Sequence, residues 1–156
     1  MKNPFRLRPA APADIPYLLD LETRCMRPHA EALWGAFRPR EAAEIDPSTH
    51  HILSLPQAQT QTQTPGPAGC VSLLWRPTHL WIDKLYLEPA LQNQGLGARL
   101  LQALTAQAEA RALPTRLSVL STNPALRLYL RHGFEIEDQD PERIRLRRPL
   151  PASSPG

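Results

Sequence analysis

Between Leu87 and Leu101 the chain reads LEPALQNQGLGARLL, with Gly95 and Gly97 set between an apolar, strand-like run and a leucine stripe. Glycine inside a helix costs about 1 kcal/mol relative to alanine, so two of them at a helix mouth ask for a reason. A strand ending at Leu87, then a loop, then a helix leaves unpaired N–H groups pointing the same way. With no Cβ at Gly95 and Gly97, an anion reaches that backbone and meets the positive end of the helix dipole. The chemistry this suits is binding of a phosphate or diphosphate, with Arg99 one turn in to add a charge-assisted contact. Tight packing of helix on strand is the other use of two such glycines, and their spacing alone does not decide between the two.

The common phosphate loops do not fit. A dinucleotide fingerprint wants a third small residue and an acidic residue about 20 positions on. Here the third slot is Leu100, and Thr115–Val119 holds no carboxylate. A nucleotide P-loop needs Gly-Lys followed by Ser or Thr, which is absent.

Eighteen prolines punctuate the elements that must position this turn. Phe5–Ala10 alternates apolar and basic residues as a short strand. Asp14 is the expected N-cap of a helix carrying Ile15, Leu18, Leu19 and Met26, and Glu31–Ile45 reads as a second helix broken at Gly35 and Pro39. His50–Leu55 reads as a strand. Residues 56–68 are polar, repetitive and proline-flanked, and are expected to be a disordered hairpin loop. Cys70–Trp75 and His79–Leu87 follow as strands. From Gly95 the period turns helical, with Leu96, Leu100, Ala103, Leu104 and Ala108 on one face and Pro114 as the stop. Arg116–Ser121 is a strand. Asn123–Gly133 is a compact helix with Asn123 as N-cap and Gly133 as its end. Two strands close the chain as a hairpin, and residues 151–156 read as a disordered tail. One α+β domain over residues 1–150, a mixed sheet flanked by helices, is the expectation.

Composition adds bounds. The 156 residues carry a net charge of +3, with 42% hydrophobic and 21% charged residues, a profile ordinary for a globular domain. The mild positive balance suits a small anionic ligand and is too weak to indicate nucleic acid. Two cysteines give neither a disulfide framework nor paired metal-ligand spacing, which points to a reducing cytoplasm and no metal. No run of 18 apolar residues and no apolar leader segment marks a membrane span or a secretion signal.

The run Gln92-Asn93-Gln94-Gly95-Leu96-Gly97 resembles the Q/R-x-x-G-x-G/A signature of the GNAT superfamily of acetyl-CoA-dependent N-acyltransferases. Some 26 residues after Gly97, Asn123-Pro-Ala-Leu-Arg-Leu-Tyr129-Leu-Arg-His-Gly133-Phe134 resembles that family's N-x-x-A…Y-x-x-x-G-F segment. The likeness spans roughly residues 5–148. It implies a GNAT-type fold, acetyl-CoA as co-substrate, and direct acetyl transfer to a primary amine in a ternary complex. Carried over by position, the backbone of Leu85, Tyr86 and Leu87 pairs with the pantetheine arm as an added strand. The amides of Gln92, Asn93, Gln94, Gly95, Leu96, Gly97 and Ala98 hold the diphosphate, with Arg99 and Asn123 alongside. Tyr129 becomes the general acid for the departing thiolate. Read from its own neighbours, Tyr129 shares a helix face with Ala125, Leu128 and His132 and is a core aromatic.

The acceptor amine must lose a proton, since an alkyl amine is only about one part in 2,500 neutral at pH 7. Asp83 interrupts a face expected to carry Trp81, Leu85 and Leu87, so a buried carboxylate tuned toward a working base is one reading and a structural carboxylate the other. Glu22, Glu31 and His29 are rivals. Together with Arg27 and Trp34 these three form a charged, aromatic-bearing cluster expected to line the acceptor side and to suit a small amine carrying a carboxylate. A peptide or protein amine stays open, as does a homodimer. His50–His51 lacks a ligand-spaced partner. Arg143, Arg145 and Arg147 alternate with Ile144 and Leu146, as on an edge strand protected by charge rather than an RNA surface. Cys25 has no evident base partner, and direct transfer needs no nucleophilic thiol. A non-catalytic acetyl-CoA sensor of the same fold is the alternative function.

Overall fold

The computed structural model describes residues 3–56 and 66–151. The elements run β1 (Arg6–Pro9), α1 (Ile15–Trp34), β2 (His50–Ser54), β3 (Gly69–Trp75), β4 (Leu80–Leu87), α2 (Leu96–Ala110), β5 (Thr115–Leu120), α3 (Leu126–Arg131), β6 (Glu135–Gln139) and β7 (Arg143–Arg148). Seven strands make one sheet in the order β1-β2-β3-β4-β5-β7-β6. Every neighbouring pair is antiparallel except β4–β5. The expected α+β domain with a mixed sheet is the one found.

Two packed layers follow from the side-chain periods. Leu100, Leu101 and Leu104 of α2 are fully buried with Leu80, Leu117 and Leu146 of the sheet. Each such leucine stabilises the fold by roughly 1.5–3 kcal/mol. On the other face Leu18 and Leu21 of α1 pack with Ile45, Ile52 and Cys70.

The structure differs from the sequence reading at four places. First, α1 is one 20-residue helix that carries Pro28 within it and takes in only Glu31–Trp34 of the second expected helix; past Gly35 that segment holds no α-helix, only a 3-10 turn at Ala42–Glu44. Pro28 removes only the bond its own N–H would make, and the helix is held on both sides of it by buried Leu18, Leu21, Glu22 and Ala30. Second, Asp14 is not a side-chain N-cap of α1. Its carboxylate turns back to accept the Ala11 N–H at 2.8 Å and the Arg8 guanidinium at 2.9 and 3.0 Å. These donors hold the carboxyl down at about 2. Third, β7 lies between β5 and β6, so β6 is the edge and the arginines of β7 are interior to the sheet order. They pair with β6 carboxylates, Arg145 with Asp138 and Arg147 with Glu137.

The fourth difference matters most for the site. β4 gains one residue against β3: Ser72 faces Lys84 while Leu73 faces Ile82, which leaves Asp83 as the bulged residue. A one-residue slip swaps the faces. Leu80 and Ile82 therefore share the α2-side core with Leu85 and Leu87, and the expected face of Trp81, Asp83, Leu85 and Leu87 does not exist. Most of the expected loop 56–68, and residues 152–156 of the tail, lie outside the described residues. Ala68, at the end of that loop, is fixed: its N–H donates to Leu53 and its carbonyl accepts from Glu88.

Candidate active site

β4 and β5 are paired only at their starts, Leu80 with Thr115 and Trp81 with Arg116. Beyond Trp81 they diverge, and one backbone edge of β4 is left without a strand beside it. A cavity of about 1290 Å³ fills the gap, lined by β4 from Trp81 to Leu87 and by β5 from Leu117 to Leu120. The three residues expected to pair with an extended amide arm, Leu85, Tyr86 and Leu87, all lie on this edge. An extended chain carrying amides fits such an edge by strand addition.

At the end of β4 the chain passes through a single 3-10 turn, Pro89–Leu91, into the glycine loop. Gln92 Nε2 donates to the Leu87 carbonyl at 3.1 Å and Gln94 Nε2 to the Ala90 carbonyl at 2.9 Å, so two loop amides brace its backbone. Asn93 (φ 63°) and Gly95 (φ 78°) both take the left-handed conformation. At Gly95 this is a requirement of the backbone, since an added Cβ would meet nothing within 4 Å. Gly97 differs: its Cβ would lie 3.6 Å from Leu87 Cδ1 and 3.9 Å from Leu128 Cδ2, ordinary contact distances. The amides of Leu96, Gly97 and Ala98 in the first turn of α2 have no intrahelical carbonyl four residues back. Gln92, Asn93, Gly95, Gly97 and Ala98 line the cavity, whereas Gln94, Leu96 and Arg99 stand outside its wall. Donor amides at a helix mouth, joined to an open strand edge, fit a diphosphate with an extended amide arm.

Asn123 also lines the cavity, and its Oδ1 accepts the Ala125 N–H at 2.9 Å, which caps the turn leading into α3. On α3, Tyr129 is buried and packs edge-on against Phe134 with ring centroids 5.6 Å apart. Burial pushes its phenol up to about 12. It also lines the cavity, so Tyr129 is both a core aromatic and a residue of the cavity wall. Its neutral hydroxyl makes no hydrogen bond among the described residues, leaving a proton to give.

On the α1 face the expected acceptor cluster divides. Glu22, His29 and Trp34 line the cavity. Arg27 and Glu31 do not; they pair with each other one turn apart at 3.6 Å, and Arg27 lies over the Phe37 ring. Burial lowers the His29 imidazole, and its carbonyl accepts the Thr122 hydroxyl at 2.7 Å, docking the end of α1 onto the loop after β5. Asp83 is on the wall but exposed, with the Trp81 indole N–H donating to it at 3.3 Å. Burial, the condition that would have tuned it, is not met.

Two residues that the sequence did not single out, Arg40 and Lys84, join Glu22 on the wall. Glu22 is buried at 7% exposure and holds Arg40 Nε on Oε1 at 2.9 Å and Lys84 Nζ near Oε2 at 3.7 Å. Glu22 Oε2 has no hydrogen-bond partner. Lys84, itself buried, donates to His50 Nε2 at 3.2 Å. The other ring nitrogen, Nδ1, lies 2.7 Å from the Asp46 carbonyl, so it carries the proton and leaves Nε2 free to accept. Arg40 and Lys84 are about 18 and 62 positions from Glu22 in sequence, and only the bulge at Asp83 turns Lys84 toward α1. Cys25 lies at the same place, its thiol donating to the Leu87 carbonyl at 3.4 Å, and burial raises it to about 11. It stays a thiol. Among the described residues, no group of three or more His, Cys, Asp or Glu is placed to hold a metal, and no helix is long and apolar enough to cross a membrane.

The model of the acetyltransferase (GNAT) family matches residues 15–134. No curated protein sequence matches the chain. Among solved structures, the ribosomal-protein-S18-alanine N-acetyltransferase from Escherichia coli aligns with a TM-score of 0.66 at 19% identity, covering 97% of each chain. The PaiA N-acetyltransferase from Thermoplasma acidophilum in complex with coenzyme A aligns at 0.64 and 15% identity, over 94% of this chain and 99% of that one. N-acetylglutamate synthase from Neisseria gonorrhoeae, complexed with coenzyme A and L-arginine, aligns at 0.62 and 23% identity. The match covers 94% of this chain and 33% of the synthase, so this chain spans about a third of that protein's length. At these identities the likeness is one of fold.

Proposed function

The chain belongs to the GNAT acetyltransferase family, and from that premise we propose that it transfers an acetyl group from acetyl-CoA directly to a primary amine. The observation that carries this reading is the parting of β4 from β5 beside a helix mouth that bears Gly95 and Gly97. The open edge of Leu85, Tyr86 and Leu87 aligns the pantetheine arm. The amides of Gln92–Ala98 hold the diphosphate, with Asn123 shaping the far wall. Arg127 and Arg131, one turn apart on α3 and on the cavity wall, add positive charge on that side.

The bound thioester supplies the activated acetyl carbon. The amine nitrogen forms its bond to that carbon as the carbon–sulfur bond breaks. Tyr129 gives its phenolic proton to the departing sulfur; being neutral and buried, it is available for this across physiological pH. Glu22 receives the proton of the amine. It is the buried carboxylate on the wall with an oxygen lacking a hydrogen-bond partner, and this favours it over exposed Asp83 for the base role. The proton lost by the amine and the proton gained by sulfur balance, and no enzyme-bound acetyl group is needed, so Cys25 has no part in the chemistry.

Tyr129 as proton donor and Glu22 as proton acceptor, on opposite faces of the sheet around one gap, support chemistry beyond mere binding. A sensor that only bound acetyl-CoA would need neither. Purified protein incubated with acetyl-CoA and amines tests the reading through release of the coenzyme thiol. Amine-dependent release supports it, and tight coenzyme binding without release from any amine, peptides included, would favour the sensor.

A further inference from the structure

Resting on the acetyl-transfer reading, we propose that the acceptor is an amine carrying its own anionic group, a carboxylate or phosphate, and that Arg38 and Arg143 hold that group. The two faces of the sheet divide the cavity. On the α2–α3 face are the helix mouth and the α3 arginines, which serve the coenzyme's phosphates. On the α1 face the wall includes Glu22, Lys84, Trp34, Arg38, Arg40 and Arg143. Arg143 belongs to this face because its strand neighbours Ile144 and Leu146 are buried in the opposite core, and because its guanidinium lies 5.8 Å over the Trp34 ring.

The charges of this chamber are unevenly satisfied. Arg40 is matched by Glu22. Arg38 and Arg143 form no close ion pair among the described residues, Asp140 acting on Arg143 only at longer range, although both lie on the cavity wall. Two guanidinium groups without a close ion pair on one cavity wall select an anion, and their planar forks suit carboxylate or phosphate oxygens. Lys84 strengthens the same field from the floor. Glu22 Oε2, buried and without a hydrogen-bond partner, awaits an N–H donor, which an acceptor amine supplies. One oxygen awaiting a donor and two guanidinium groups awaiting an acceptor describe a ligand with both charges. A polyamine brings further positive charge against Arg38 and Arg143 and is rejected by repulsion. This relocates the anion-reading role from Arg27, which pairs with Glu31 and lies over the Phe37 ring, to Arg38 and Arg143.

The test measures coenzyme thiol release, at fixed acetyl-CoA, for amino acids against their carboxamides, O-phosphoethanolamine against ethanolamine, and spermidine. Calorimetry with coenzyme A runs alongside on the same protein. The expected result is a kcat/KM at least about tenfold higher for the anionic member of a matched pair, the scale of one charge-assisted contact. Whether the carboxylate or the phosphate arm shows it identifies the anion. In the Arg38→Ala/Arg143→Ala protein the ratio falls toward one while coenzyme A affinity is retained, and the corresponding lysine double variant restores part of it. Equal or better use of carboxamides or spermidine overturns the inference, as does a preference that survives the double variant or the absence of release with every anionic amine. Those outcomes leave coenzyme binding in place; loss of coenzyme A binding by the unmodified protein would instead remove the acetyl-transfer reading itself.

Discussion

Glu22 Oε2 on α1 lies 3.7 Å from Lys84 Nζ on β4, and both side chains are buried. The contact ties the helix to the strand edge at the point where the sheet begins to part. Taking away one member leaves a charge with poor solvation. Lys84→Met is expected to cost about 3 kcal/mol, read as a lower urea midpoint with an unchanged slope. The Glu22→Gln/Lys84→Met protein is expected to regain most of that loss, because the buried carboxylate, left with the half-exposed Arg40 as its ion-pair partner, is gone. Equal stability of Lys84→Met and the parent would show that the pair contributes nothing.

Tyr129→Phe removes the hydroxyl and keeps the ring against Phe134. The folded state should be little changed, while kcat falls by about 10²-fold, the lower end of what positioned proton transfer supplies. With the phenol raised to about 12 by burial, the parent should show no alkaline loss of kcat from this group below about pH 10. Unchanged kcat in the variant would take the general-acid role from Tyr129.

Gly95 and Gly97 answer differently to alanine. Gly95 is left-handed, so Gly95→Ala should destabilise the fold by about 1–2 kcal/mol and weaken coenzyme A binding. Gly97 is helical with ordinary contacts around its missing Cβ, so Gly97→Ala should stabilise by up to about 1 kcal/mol. Thermal midpoints of the two variants moving in the same direction would contradict this.

Acid should weaken the protein first through its histidines. Burial lowers His29, His50, His79 and His132, with Lys84 adding to the shift at His50. Below about pH 6.5 the unfolded chain therefore binds more protons than the folded one, and stability falls as pH falls through that window. Asp14 adds a further loss below about pH 4: held at about 2 by Arg8 and the Ala11 N–H, its contribution is complete above its ordinary value and disappears as it protonates. Thermal midpoints measured at about pH 7.5 and 5.5 check the histidine effect, and His50→Gln should flatten it.

What could be read from the chain is what is written locally. The glycine loop and the helix that follows it carry their breakers and period within about a dozen residues and stand where expected, whereas the helix expected over Asn123–Gly133 shortens to Leu126–Arg131, with Asn123 capping the turn before it. α1 runs through Pro28 as one helix, because packing of Leu18, Leu21 and Ala30 outweighs one missing backbone bond. The bulge at Asp83 has no signature in its own strand. It exists only relative to β3, yet it decides that Lys84, not Asp83, is buried beside Glu22. Arg40 and Arg38 reach the cavity from a segment with no regular period, and Arg143 depends on β7 lying inside the sheet. Long-range placement of this kind leaves no trace in spacing.

The central claim is that the helix mouth holds a diphosphate and the open edge of β4 takes the arm behind it. Amide NMR of the isotope-labelled protein titrated with coenzyme A tests this most directly. The largest shifts should cluster at Leu85–Leu87 and at Gln92–Ala98. Binding that leaves both segments unshifted and perturbs another surface, or no binding at all, would contradict it.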